Sequence, residues 1–147
     1  MSKPTFVYVT YIRSTADKVW AALTEPEFTA KTWFGARHET EWKPGAAWRL
    51  ILQDGRVADA GEIVEIDKPR RLVLKWRNEK PELKEEGWSR CTIEIESAAD
   101  NAVKLTVTHE ANGPKLIEAV SGSWPRILSN IKSLLETGEL VLENKIQ

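Results

Sequence analysis

IEAVSGSWPRILSNIKSLLETGE, residues 117–139, is where the chain changes period. Ile117, Val120, Trp124, Ile127, Leu128, Ile131, Leu134 and Leu135 follow steps of three and four, which lays one apolar face along about five helical turns. Gly122 and Pro125 interrupt the pattern. A proline inside a helix removes one backbone hydrogen bond and crowds the preceding turn, so a kink or break is expected between Ser121 and Pro125. Gly138 supplies a C-terminal stop. Almost everything before this segment alternates instead, and a long one-sided helix after a series of half-apolar strands reads as the cover of a sheet.

Working back toward the N-terminus, Thr5 to Arg13 alternates and is rich in Val, Tyr and Phe, as a strand should be. Ser14 and Asp17 have capping-box spacing ahead of a helical stripe of Val19, Trp20 and Leu23. Thr24 and Glu27 repeat the signal around Pro26, giving a second short helix to about Phe34. Six further strands follow: 37–42, 47–53, 57–67, 71–78, 88–97 and 102–110. Pro-Gly, Asp-Gly, Lys-Pro and Asp-Asn turn signals, and a charged loop around Pro81, separate them. Such short connections imply antiparallel neighbours. The expected class is α+β: about seven antiparallel strands, two short helices after the first, and a long C-terminal helix, in one domain spanning 1–147.

Most strands have one apolar and one charged face, so the sheet should be dry on one side. Trp48, Leu50 and Leu52 oppose Arg49 and Gln53. Leu72, Leu74 and Trp76 oppose Lys75 and Arg77. Val103, Leu105, Val107 and His109 oppose Lys104, Thr106 and Thr108. The 57–67 strand is ambiguous, and the even phase, which turns Glu62 inward with Val64 and Ile66, is adopted. On that reading Glu62, His38, Thr40 and His109 lie among large apolar groups. Buried polar groups need partners, water or a ligand, so this set points to a pocket.

The 147 residues suit a single domain. Surface scaling buries about two-thirds of the chain's area on folding, enough for a core without disulfides or metal. Twenty-one basic residues against 22 acidic ones leave a net charge of −1, which provides no field for general nucleic-acid binding. The lone Cys91 cannot form an internal disulfide. The first residues lack the apolar core of a secretory signal, and no run approaches a membrane span. A cytoplasmic protein without membrane insertion is expected.

More specific stretches are VWAALTEPE (19–27), GAAWRL (45–50), PRRLVLKW (69–76) and SWPRILSNIKSLLETGE (123–139). In this order and spacing they resemble the bacterial relatives of the C-terminal domain of the heat-shock protein 90 ATPase activator. That group lies within the superfamily of START and birch-pollen-allergen-like proteins (SRPBCC). The resemblance covers nearly the whole chain. It implies the helix-grip fold, a curved antiparallel sheet wrapped around the long C-terminal helix, and a cavity often used for apolar or aromatic ligands. It also implies a link to the stress response and a chaperone partner. It carries no shared catalytic motif.

Seven tryptophans stand against three phenylalanines and two tyrosines. Trp42, Trp48, Trp76 and Trp124, with Trp33, can form an aromatic cage, because indole offers large contact area and one N–H donor. The same residues can equally be core. Trp88 falls on the charged face. The expected ligand-binding set is therefore His38, Trp42, Trp48, Glu62, Trp76, His109 and Trp124, around an apolar or aromatic small molecule. No cofactor and no metal are expected, since the histidines and Glu62 lack ligand spacing. Two alternatives stay open. One is a regulator that contacts a chaperone; the other is a cyclase- or hydrolase-type enzyme using Glu62 or His109 as base. Cys91 and His109 share a face, which leaves both a nucleophilic pair and a structural cysteine open.

Overall fold

The computed structural model describes residues 3–143, so the ends of the expected 1–147 domain lie outside the described residues. Seven strands form one antiparallel sheet in the order β1-β7-β6-β5-β4-β3-β2. They are β1 (Thr5–Ile12), β2 (Arg37–Glu39), β3 (Ala47–Ile51), β4 (Val57–Asp67), β5 (Arg71–Asn78), β6 (Ser89–Ala99) and β7 (Ala102–Glu110). Helices α1 (Ala16–Thr24) and α2 (Pro26–Thr32) follow β1, a single turn α3 (Pro81–Lys84) follows β5, and α4 (Pro114–Thr137) ends the fold. Only one pair of neighbours, β1 and β7, is not consecutive in the chain: the last strand returns beside the first. The sheet curves around α4, which gives the expected helix-grip architecture.

The apolar face of α4 is buried at Leu116, Val120, Trp124, Ile127, Leu128 and Ile131. The helix runs unbroken through Pro125, contrary to the expected interruption. Pro125 deprives only the Ser121 carbonyl of its donor, and Ser121 lies on the exposed side of the helix, where water can replace the bond. Both ends of α4 are tied down by carboxylate contacts between residues distant in sequence. Glu86 accepts from the Lys115 and Leu116 amides at 2.9 and 3.0 Å, occupying free donors of the first turn. Glu136 accepts from the Arg13 amide at 2.8 Å, and Lys132 donates to the Tyr11 carbonyl on the open edge of β1. Gly138 closes the helix with φ 86°.

Three local expectations are corrected. The cap of α1 is Thr15, whose hydroxyl accepts from the Lys18 amide, and not Ser14. The second strand ends at Glu39, and Trp42 leaves the sheet with φ 52°, a conformation uncommon for a bulky residue. In β4 the register shifts between Ile63 and Glu65, so Val64 is an unpaired bulge and the side chains change face there. Ile66, after the bulge, turns inward as expected and packs on the core. Before the bulge the odd residues face inward, with Ile63 fully buried. Glu62 points outward beside its cross-strand neighbour Lys75, 3.8 Å away, and its side chain is 45% exposed.

Gly61 sits opposite Trp76 on β5, where an added Cβ would come 1.7 Å from the Lys75 carbonyl oxygen. Only the absence of a side chain lets the two backbones pair there. Gly61→Ala is therefore expected to force β4 from β5 and cost about 2–4 kcal/mol, read as a fall in the urea midpoint.

Candidate functional site

Every indole buried in an apolar core brings an N–H that needs an acceptor. Trp48, Trp76 and Trp124 are each at most 4% exposed, and each N–H reaches a polar side chain. Trp48 Nε1 donates to His38 Nδ1 at 2.9 Å, Trp76 Nε1 to Asp59 Oδ1 at 2.8 Å, and Trp124 Nε1 to His109 Nδ1 at 3.4 Å. The inward histidines are thus acceptors for tryptophans. His38 Nε2 lies 2.8 Å from the Leu23 carbonyl, which can only accept, so the ring is a neutral Nε2–H tautomer. His109 follows the same pattern. Ser89 Oγ donates to the Trp76 carbonyl at 2.7 Å and so accepts from His109 Nε2 at 3.0 Å.

The rings close into a loop: His38, Trp48, Trp76, Trp124 and Trp33 succeed one another with centroids 6.0, 4.6, 5.9 and 5.3 Å apart, and Trp33 returns to His38 at 4.7 Å. The expected cage is therefore filled by its own walls. Trp42 meets His38 edge to face at 5.4 Å. Trp88 lies on the outer face of the sheet, with Lys75 and Arg77 over its ring.

Beside this cluster, between the sheet and α4, a cleft of about 420 Å³ remains. Trp33, Trp76 and Trp124 form its aromatic wall, Leu116, Val120 and Ile127 of α4 its apolar side, and Asp59 its buried charge. Of the expected set the cleft therefore brings together Trp76 and Trp124 only. His38, Trp42, Trp48 and His109 stand away from its lining, and Glu62 is on the opposite face of the sheet. Asp59 was not among the expected residues. The signal for it was the odd phase of β4, masked by the bulge.

Asp59 is 6% exposed. Its Oδ1 accepts from both Trp76 Nε1 and Asn78 Nδ2, each at 2.8 Å, while Oδ2 has no partner among the described residues. No Lys or Arg forms an ion pair with it among those residues. Burial pushes its carboxyl up to about 6, against the opposing pull of the Asn78 and Trp76 hydrogen bonds. Trp33, another residue of the wall, has a buried Nε1 donor without an acceptor among the described residues.

The groups named for catalysis are engaged with other partners. Cys91 is the cross-strand neighbour of His109, but burial pushes its thiol upward and keeps it protonated. Ser89 donates to a carbonyl, not to His109, and among the described residues no carboxylate orients that imidazole, whose Nδ1 receives the Trp124 N–H. No cluster of three potential metal ligands occurs among the described residues.

The fold and its sheet-to-helix cleft define the class first: this is a helix-grip protein of the START and birch-pollen-allergen-like type. The family model for Activator of Hsp90 ATPase homolog 1-like protein matches residues 13–136, and the chain belongs to that family. Among solved structures it is similar to an HSP90 activator from Plasmodium falciparum, at 25% identity and TM-score 0.74, over 89% of this chain and 95% of that one. It also shares its fold with the Aha1 dimer from Colwellia psychrerythraea, at 16% identity and TM-score 0.73, over 92% and 98%. CalU16 from Micromonospora echinospora has the same fold at 17% identity and TM-score 0.73, over 91% and 77%. No curated protein matches the sequence.

The buried titratable groups make a pH prediction. Burial holds His38 and His109 down to about 4, from 6.5. The unfolded chain takes up two protons below about pH 6.5 that the folded imidazoles refuse, so stability falls as pH falls. Asp59 acts in the opposite sense, because the folded carboxyl keeps up to about pH 6 a proton that the unfolded one releases near 3.8. Between about pH 6 and 5 the unfolded chain holds about one proton more, so stability should drop by about 1.4 kcal/mol per pH unit. Asp59→Asn removes the opposing group and should nearly double that slope in urea melts across the interval.

Proposed function

We propose that the protein binds a small, mainly apolar molecule in the cleft between sheet and α4. The observation that carries this reading is the cleft itself, whose apolar wall holds a carboxylate oxygen, Asp59 Oδ2, without a protein hydrogen bond among the described residues. A carboxylate oxygen facing an apolar cleft favours a ligand that brings it one donor on an otherwise apolar body. About 420 Å³ lies within the range of small-molecule sites. The reading moves the site from the centre of the expected cage to its flank. It leaves the central histidines as structural groups and gives neither them nor Glu62 a base's role. With its single thiol buried and reduced, the protein suits the cytoplasm.

Titration with a panel of aromatic acids, aromatic amines, sterols and fatty acids, followed through the emission of the wall tryptophans, tests this. At least one class should give a saturable change. Ala119→Phe, at the exposed rim of the cleft, should weaken that binding by about tenfold or more by occupying the space, with an unchanged melting temperature. No saturable response from any class would refute the reading.

Family membership favours a second reading, regulation of a chaperone ATPase in the stress response. On that reading the purified chain raises the ATPase rate of the bacterial heat-shock protein 90 homologue and co-precipitates with it. Absence of binding at about tens of micromolar, where weak protein contacts register, would end it.

A further inference from the structure

We propose that the cleft selects an apolar cation: a protonated amine on an aromatic or aliphatic body, its nitrogen placed on the free oxygen of Asp59. The inference rests on the small-molecule reading and adds the charge of the ligand. A carboxylate buried among apolar groups without a counter-ion is costly, and a cationic ligand compensates it where a neutral or anionic one does not. Asp59 is such a group: 6% exposed, with both protein hydrogen bonds on Oδ1 and none on Oδ2. Those two donors are neutral, so they orient the carboxylate without discharging it.

The surrounding charges agree in sign. Glu79, next to Asn78, adds negative potential at Asp59, although it is itself paired with Arg77 at 3.3 Å and Lys84 at 3.7 Å. Lys80 is the one cation of the lining; it is exposed, and its ammonium sits 4.0 Å from Glu82. Arg126 lies outside, stacked over Phe34 at 5.5 Å. The walls fit the same ligand. Trp33, Trp76 and Trp124 present indole rings, whose negative faces attract ammonium groups and whose area accepts an apolar body. An anionic ligand would meet Asp59 directly and lose on charge.

Calorimetric titration with three probes of one shape separates the outcomes: 2-(1-naphthyl)ethylamine, 2-(1-naphthyl)ethanol and 1-naphthylacetate, at about pH 8, where a carboxylate of this kind is ionised. The wild-type protein should bind the amine about tenfold more tightly than the alcohol, and the acid least. In Asp59→Asn, which keeps an acceptor for Trp76 and Asn78, the amine-to-alcohol ratio should fall to near unity. An alcohol that binds as well as the amine, or an amine preference that survives in Asp59→Asn, overturns the charge assignment while leaving the cleft a binding site. Failure of all three probes overturns this inference, and the panel of sterols and fatty acids then decides separately whether the cleft binds a small molecule at all. Should Asp59→Asn not fold, the carboxyl-carbon resonance of Asp59 in the wild-type protein decides: it shifts on addition of amine, and its failure to shift overturns the proposal.

Discussion

The hydrogen-bond needs of buried indoles organise this protein. Tryptophan supplies more contact area than any aliphatic residue, but each ring carries a donor that must be satisfied in a place where water does not reach. For Trp48, Trp76 and Trp124 the chain meets that demand with side chains on neighbouring elements. Trp48 of β3 is answered by His38 of β2, Trp76 of β5 by Asp59 of β4, and Trp124 of α4 by His109 of β7. Each bond spans two elements, so each fixes a register or a helix position as well as satisfying a donor. The last of the three joins the helix to the sheet, and it is continued through Ser89 to the Trp76 carbonyl. An unpaired buried donor costs about 1–3 kcal/mol, so shifting one strand against its neighbour would lose packing and hydrogen bonding together.

The layers of the fold were legible in the sequence because each rests on a local period. Alternation marks the strands, the three-and-four spacing from Ile117 to Leu135 marks α4, and the Asp-Gly and Lys-Pro turns mark where strands reverse. What was not legible depends on single backbone events without periodic trace. One residue, Val64, bulges out of β4 and reverses which side chains face the core on either side of it. A single phase assigned to the whole strand was therefore right for Ile66 and wrong for Glu62, and it hid Asp59. The left-handed turn at Trp42 likewise takes that ring out of the sheet's inner face. The capping of α4 by Glu86 depends on a contact between residues thirty positions apart, which spacing cannot show.

The candidate site illustrates a different limit. Inward polar residues among tryptophans are a correct deduction from the pattern at His38 and His109, yet the pattern does not say what those residues are paired with. A polar group facing a pocket and a polar group facing an indole have the same sequence signature. The structure separates them by counting bonds. Both histidines have both ring nitrogens engaged, which leaves them no capacity for a ligand. A ring whose Nδ1 accepts and whose Nε2 donates within the core keeps no free lone pair in this arrangement.

Asp59 belongs to the same system and differs from it in one respect. A carboxylate has two oxygens and about four lone-pair sites, and the indole and amide that bind it use only Oδ1. Were the aspartate present only to answer Trp76, a neutral acceptor such as asparagine would do so without carrying charge into the core. The histidines show that this chain uses neutral acceptors where the need is only structural. A charged acceptor at the third position, on the lining of the cleft and without an ion-pair partner among the described residues, is therefore the one member of this scheme that packing alone does not require, and the proposed ligand site rests on it.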